Sequence, residues 1–189
     1  MELYEKNKKW TIKKIAAGTL FFCYLAAFLF VAYLLEYGPI KVIRYVCLAA
    51  GVFYLADFDV KSKIVPNRIL LVLLAVRTVL LLLEAFFYPG YFSSFVLSSF
   101  FGAALAMLIL FVGNLICKKG MGYGDIKLFG VIGYYVGPQT VLGVLFFSLL
   151  FAAVYSILLL LMKKIKAKDE IPFVPFIFAG LAAASLLGI

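Results

Sequence analysis

The sequence predicts an all-α integral membrane protein, a polytopic bundle of about seven transmembrane helices, and three observations support this fold class. Of the 189 residues, 66% are hydrophobic and only 14% are charged, whereas soluble domains carry roughly 25% charged residues. The mean hydropathy is +1.12, and a soluble core of this size could not bury so much apolar surface. Apolar segments also follow one another along the whole chain, separated by Gly/Pro turns and basic loops.

Seven apolar segments give the expected helices in order, since a helix needs about 20 residues to cross the hydrocarbon. They are residues 15–35, 40–57, 69–87, 92–116, 126–137, 140–162 and 172–189. The first is too long for the apolar part of a signal peptide, and no small-residue cleavage site with a soluble domain follows it. We therefore interpret it as a spanning helix.

The segment 126–137 is too short to span, because it covers only about 18 Å at 1.5 Å per residue. Either Asp125, which directly precedes it, begins below the membrane surface, or packing shortens the helix. A recessed aspartate would require a water-filled cleft. Small residues recur on one face of this segment and of segment 92–116, which predicts close helix packing: Gly130, Gly133 and Gly137, and Ser94, Ser98, Gly102 and Ala106.

The charged residues sort onto two sides of the predicted bundle. Most of the basic residues fall on one side, in residues 1–14 and in the loops 59–68, 117–127 and 163–170. The positive-inside rule places that side, and with it the N-terminus, in the cytosol. The other side carries Glu36, Lys41 and Arg44. The formal net charge of +9 therefore reports topology, with a contribution from anionic lipid, and we expect no nucleic-acid partner.

The chain has no histidine, and its three cysteines lie far apart with no C-x-x-C pair. These absences exclude Ser-His and Cys-His catalysis, the usual His-ligated zinc proteases, and a zinc or thioredoxin-like cysteine motif. We expect neither a metal nor a cofactor.

Two stretches, FDVKSKIVPN at 58–67 and GMGYGDIK at 120–127, each place an aspartate where the apolar chain meets a charged border. Asp59 follows the second segment, with Asp57 as a competitor, and Asp125 is expected to open a helix as its cap. Taken singly, each acid also fits a plain helix-end role. Together, two carboxylates on one membrane face can share a proton, because neighbouring like charges do not both ionise cheaply. Such a pair can activate a water to hydrolyse a peptide without a metal or a covalent intermediate.

These stretches resemble the type IV prepilin peptidases, polytopic aspartic proteases of the GxGD class. That family has an aspartate seven residues before a proline followed by Asn or Asp, a spacing that Asp59 has and Asp57 lacks. It also has a distant GMGYGD, here followed by Ile and Lys, and a proline-containing segment like IPFVPFIFAG at 171–180. The resemblance runs from about residue 50 to the C-terminus. It implies a catalytic pair and five residues that shape the site: Asp59 and Asp125, with Gly122, Gly124, Pro66, Asn67 and Lys127.

The resemblance implies an endopeptidase that removes leader peptides from type IV prepilins or pilin-like proteins at the cytosolic face of a bacterial or archaeal cytoplasmic membrane. Its partners would be those substrates and membrane lipid. Bifunctional family members carry an N-terminal cytosolic region, often with paired cysteines, linked to methylation. Here residues 1–14 form a basic cytosolic segment, 15–49 an extra span and the start of the second, and 50–189 the core. We therefore expect a peptidase with no S-adenosylmethionine role.

Two other classes of protein compete with this interpretation. Presenilin-like and signal-peptide-peptidase-like proteases share GxGD, but the first aspartate here lacks their Tyr-Asp setting and no Pro-Ala-Leu motif is present. A transporter or assembly scaffold would show polar residues along several spans, whereas the spans here are almost purely apolar. Arg77 and Glu84 are exceptions, on one face of the third segment. A structural pair or snorkelling toward the interface is expected for them, ahead of a functional site.

Overall fold

The computed structural model describes residues 2–116, 121–163 and 171–189, with side chains from residue 15 onward. Within these ranges every regular element is helical and no strand occurs. The predicted seven helices are confirmed, with one 3-10 turn at Pro89–Tyr91 between the third and fourth. They are α1 (Glu2–Leu34), α2 (Pro39–Ser62), α3 (Asn67–Phe87), α4 (Phe92–Ile116), α5 (Tyr123–Val136), α6 (Pro138–Leu161) and α7 (Val174–Leu186).

In the described part of the chain, five helices are long and apolar enough to cross a membrane, namely α1 to α4 and α6. The short segment 126–137 is confirmed as part of α5, whose 14 residues cover only about 21 Å. The last helix is also shorter than predicted: α7 has 13 residues, Val174–Leu186, whereas the apolar segment covers 172–189. Both short helices lie inside the bundle, which explains why they are apolar although they do not span. Fully buried core residues of α2, α5 and α7 are Leu48, Val52, Leu55, Leu128, Phe129, Ile132, Ile177 and Leu181, and α1 and α6 add Phe28, Val141 and Val144.

Three helix boundaries differ from the sequence-based expectation. Helix α1 begins at Glu2, so residues 2–14 are helical and continuous with the first span. Helix α2 runs on to Ser62, which puts Asp59 in its last turn and not in a loop. Lys63 ends α2 in the left-handed conformation, with φ 51°, and its N–H donates to the Asp59 carbonyl oxygen at 2.8 Å. This hydrogen bond satisfies one of the free carbonyls at the helix end.

The third difference concerns Asp125, which does not cap α5. Gly122 occupies the cap position with an extended backbone (φ −67°, ψ 139°), and Asp125 is the third helical residue. A cap residue must leave the helical conformation, and Asp125 lies within the helix.

The small-residue faces pack helix against helix as predicted. A Cβ atom added to Gly102 of α4 would lie 2.8 Å from the Gly137 Cα atom, and one added to Gly133 of α5 would lie 2.9 Å from the Ala103 backbone nitrogen. Because no side chain fits there, the backbones of α4 and α5 approach closely. Helices α6 and α7 meet in the same way, since a Cβ atom at Gly180 would lie 2.7 Å from the Ser148 backbone nitrogen.

Arg77 and Glu84 form the structural pair that the sequence favoured, and snorkelling does not occur because Arg77 is only 1% exposed. The Arg77 Nη1 atom donates to Glu84 Oε2 at 2.9 Å. Its other donors reach the Ser99 hydroxyl at 2.9 Å and the Tyr134 carbonyl at 3.1 Å. Arg44 of α2 also donates to Glu84, from Nη1 to Oε1 at 3.1 Å. A buried charge of this kind is tolerated because it is paired and hydrogen-bonded.

Candidate active site

Asp59 lies in the last turn of α2 with its side chain turned into the protein, where it is 5% exposed. Its Oδ2 atom accepts a hydrogen bond of 3.0 Å from the backbone N–H of Val174, the first residue of α7. The N–H groups of a first helical turn have no partner within the helix, so they suit a carboxylate. Pro172 precedes the helix and Pro175 is its second residue, a position where the missing N–H and fixed φ of proline are tolerated.

Asp125 lies in the first turn of α5 and is half-buried. Its backbone N–H donates to the Gly122 carbonyl oxygen at 3.1 Å, which holds the turn. The turn packs against the loop between α2 and α3: a Cβ atom at Gly124 would lie only 3.0 Å from the Val65 Cβ atom. Glycine at 124 therefore lets the two motif stretches touch.

The two aspartates, 66 residues apart in sequence, line one cavity of about 230 Å³. This volume has room for several water molecules at about 30 Å³ each. The water-filled cleft expected beside Asp125 thus has a counterpart in the structure. The remaining lining residues are Lys63, Ile64, Val65, Asn67, Gly122, Gly124 and Lys127. They include four of the five residues that the sequence predicted to shape the site, all except Pro66.

The environment of Asp125 favours its protonated form. Burial, and after it the negative charge of Asp59, raise the pKa of its carboxyl from the usual value near 3.8 to about 6. Asp125 lies beside the cavity at the start of α5. Because α5 is not one of the five candidate spans, this carboxyl lies outside the membrane-spanning helices. The cavity therefore contains one carboxyl whose pKa of about 6 lets it hold a proton under mildly acidic conditions, and a second that accepts a backbone hydrogen bond.

Pro66, Asn67 and Lys127 join the two stretches around the cavity. Pro66 has an extended backbone and caps α3, so that Asn67 is the first residue of that helix. The Lys127 Nζ atom donates to the Asn67 side-chain oxygen at 3.3 Å. This hydrogen bond ties the start of α3 to the first turns of α5.

Asp57, the competitor of Asp59, points elsewhere. Asp57 precedes Asp59 by two positions, and such residues point in directions about 200° apart around a helix axis. Asp57 accordingly forms an exposed ion pair with Lys61 on the same helix. It lines a separate, apolar groove between α1 and α2, with Phe21, Phe22 and Phe53. The spacing to Pro66 thus selected the aspartate that faces the cavity.

Sequence reasoning missed two contributors to the site. One is the Val174 N–H, which no side-chain pattern reveals. The other is Asn114 near the end of α4, a buried residue whose side-chain oxygen accepts a hydrogen bond of 3.1 Å from the N–H of Met121, which directly precedes Gly122. A polar amide in an otherwise apolar segment was the available signal. Cys117, Gly120 and most of the loop 163–170 lie outside the described residues.

Comparison with known proteins connects these residues to one family. The type IV leader peptidase family matches residues 46–157, a range that includes both aspartates and the five residues expected to shape the site. The prepilin leader peptidase/N-methyltransferase of Bacillus subtilis (strain 168) is 34% identical over 132 residues, which are 69% of this chain and 50% of that protein. The protein of the same name from Stutzerimonas stutzeri is 30% identical over 142 residues, 72% of this chain and 47% of its own length.

A shorter match has higher identity. The Aeromonas salmonicida (strain A449) protein of the same name is 40% identical over 60 residues, 32% of this chain and 21% of that protein. The chain thus spans about half the length, or less, of the curated relatives it matches. No solved structure gives a significant match.

Proposed function

Because the chain belongs to the type IV leader peptidase family, we propose that it is a membrane aspartic endopeptidase that uses Asp59 and Asp125 as its catalytic pair. The observation that carries the proposal is that these two acids, from distant stretches, line one cavity with room for several water molecules. The substrates would be type IV prepilins or pilin-like proteins, cleaved after their leader peptides at the cytosolic face of the cytoplasmic membrane. The names of the curated relatives support this substrate class.

The two environments support different roles for the two carboxyls at the start of the reaction. Asp59, which accepts the Val174 N–H, is the ionised member and draws a proton from the attacking water. Asp125, whose carboxyl has a pKa raised to about 6, is the protonated member and gives its proton to the carbonyl oxygen of the scissile peptide. Two neighbouring carboxylates do not both ionise cheaply, so these roles describe the reactive form of the dyad.

The reaction then proceeds in two stages. The water oxygen bonds to the carbonyl carbon, leaving a tetrahedral diol with Asp59 protonated and Asp125 ionised. As the C–N bond breaks, Asp59 passes its proton to the leaving amine, and the diol hydroxyl returns a proton to Asp125. The peptide is hydrolysed, and both carboxyls recover their starting forms without a metal or an acyl intermediate.

The five neighbouring residues would hold the pair in place. Gly122 and Gly124 let the α5 turn reach the cavity and the Val65 side chain. Pro66 and Asn67 start α3 beside it, and Lys127 bonds Asn67 across the gap. Fixed geometry of this kind matters because small misplacements of catalytic groups cost large factors in rate.

The test is cleavage of a prepilin-like substrate by purified Asp59→Asn and Asp125→Asn proteins in detergent or proteoliposomes. We expect each variant to lose activity by about 100-fold or more, since each removes one proton-transfer group. Asp57→Asn is the matched control, because it changes an exposed aspartate on the same turn of α2, and it should remain active. Near wild-type turnover by either cavity variant, with its thermal stability unchanged, would refute the dyad.

A further inference from the structure

A second cavity lies at the end of the bundle opposite the aspartates. It has a volume of about 250 Å³ and is lined by the start of α2, the end of α3 and the start of α4. The proposed peptidase reaction makes no use of it. Its lining combines two cations and one acid with apolar and aromatic side chains: Lys41, Arg44 and Glu84, with Gly38, Ile40, Tyr88 and Phe95.

The charges around this cavity do not balance. Glu84 is shared between Arg44 and Arg77, at 3.1 Å and 2.9 Å, so one carboxylate faces two guanidinium groups. Lys41 adds a third cation, with its Nζ atom 3.4 Å from the centre of the Tyr37 ring. The exposed Glu36 lies nearby in sequence but does not line the cavity.

Arg44 has hydrogen-bonding capacity left over. Its side chain is only 14% exposed, yet among the described residues its one hydrogen bond runs from Nη1 to Glu84. The Nε atom is the single buried side-chain nitrogen or oxygen, in the described part of the chain, that has no partner. A guanidinium offers five donors and no acceptor, and leaving a charged donor buried and unpaired is costly. An anion in the cavity would offset that cost.

The position of the cavity indicates which anion fits. Lys41 lies in the first turn of α2 and Arg44 one turn further, at the beginning of a candidate span. Both lie on the side that carries few cations by the positive-inside rule, where a basic pair is unexpected. The free N–H groups of the α2 first turn add partial positive charge, while Ile40 and Phe95 provide an apolar wall suited to acyl chains.

We propose that this cavity binds a phosphate-bearing anion, held by Lys41 and Arg44, as the headgroup of an anionic phospholipid or as free phosphate. Arginine and lysine are the side chains that hold phosphate oxygens in proteins. The site is separate from the aspartate cavity, and the proposal does not depend on peptidase activity.

The experiment uses the full chain in a nonionic detergent and measures binding directly. Phosphatidylglycerol is titrated by native mass spectrometry, and inorganic phosphate is titrated both alone and as a competitor. The variants are Lys41→Gln and Arg44→Gln, with Arg68→Gln as the matched control. Arg68 is an exposed cation in the first turn of α3, at the aspartate end of the bundle. Lys41→Gln leaves the Glu84 ion pairs intact and therefore remains informative if Arg44→Gln does not fold.

We expect phosphatidylglycerol to bind about tenfold or more weakly to Lys41→Gln than to the wild-type chain, the factor for one lost charge-assisted hydrogen bond, and Arg68→Gln to bind normally. If inorganic phosphate competes with phosphatidylglycerol, the site also takes free phosphate. If phosphatidylglycerol binds and inorganic phosphate does not compete, the site is specific for a lipid headgroup. If neither ligand binds, or if Lys41→Gln and Arg68→Gln weaken binding equally, the proposal is wrong.

Discussion

At the scale of single residues, Asp125 shows which electrostatic effect decides its protonation. Its place in the first turn of α5 favours the ionised carboxylate, but a helix terminus contributes only about 0.3–1 kcal/mol, less than one pKa unit. Burial and the charge of Asp59 act in the opposite direction and raise the pKa of Asp125 to about 6. Burial and the neighbouring charge therefore outweigh the helix dipole.

The first prediction is that Asp59→Asn lowers the pKa of Asp125, because it removes the negative charge that is the second cause of the shift. The pKa should remain above 3.8, since burial, the larger cause, is unchanged. Infrared titration of the protonated carboxyl stretch, with the band assigned by its loss in Asp125→Asn, measures this without needing an active enzyme. Asp57→Asn should leave the titration where it is. An Asp125 titration that is the same in Asp59→Asn and wild type would show that the two carboxyls do not interact.

The raised pKa of Asp125 also predicts how the stability of the protein and its activity change with pH. A carboxyl with a raised folded-state pKa binds more protons in the folded than in the unfolded protein. The stability that it contributes is therefore complete below pH 3.8 and is lost as the pH rises through about 6. If the protonated Asp125 is the reactive form, kcat/KM should also fall as the pH rises through about 6. A pH profile of leader-peptide cleavage would show this decline.

At the scale of elements, the contact between α5 and the α2–α3 loop depends on Gly124. A Cβ atom there would lie 3.0 Å from the Val65 Cβ atom and 3.4 Å from its Cγ2 atom. Val65 has little freedom to move aside, because it is β-branched and precedes Pro66, which restricts its backbone. At Gly122, by contrast, a Cβ atom would meet only the Asp125 Oδ2 atom, at 3.4 Å, and the backbone there is extended.

We therefore predict that Gly124→Ala lowers kcat of leader-peptide cleavage by about tenfold to 100-fold through displacement of the cavity wall. Gly122→Ala should cost clearly less. The added volume can be removed from the other side, so Gly124→Ala combined with Val65→Ala should recover much of the lost rate. The wild type, Gly124→Ala, Val65→Ala and the double variant form a double-mutant cycle, in which we expect the two sites to be coupled. Additive losses in the double variant would mean that the Val65 contact is not the reason for glycine at 124.

The helix ends show where sequence reasoning stops. The apolar segments predicted the number, order and type of the helices, because lipid requires long apolar runs. Asp59 was expected in a loop since charges interrupt the pattern there, yet α2 continues until Lys63 adopts a left-handed backbone. That conformation is a local choice which the composition of the segment does not reveal. The cap of α5 at Gly122 was missed for the same reason.

At the scale of the whole molecule, the two short helices α5 and α7 determine where the site lies. Both begin at the aspartate end and are buried among longer helices, so their first turns lie beside Asp59 and Asp125. The motif spacing was sufficient to pair these two acids. The Val174 N–H could not be predicted, because it comes 115 residues after Asp59 and is brought there only by the packing of α7.

The final prediction concerns the orientation of the bundle, which sets the face on which cleavage occurs. Ile64 lies in the loop before α3 and Gly90 in the turn after it, so the two positions lie at opposite ends of that helix. Both positions are exposed, and nothing crowds a side chain at Gly90. With the native cysteines replaced, a membrane-impermeant thiol reagent added to intact cells should label Gly90→Cys but not Ile64→Cys. Inverted membrane vesicles should give the reverse pattern, because the lysine-rich end is expected in the cytosol. Labelling of denatured protein provides the control for reagent access. If Ile64→Cys reacts from outside intact cells, the aspartate cavity faces away from the cytosol, and the proposed site of leader cleavage is wrong even if the two aspartates hydrolyse peptides.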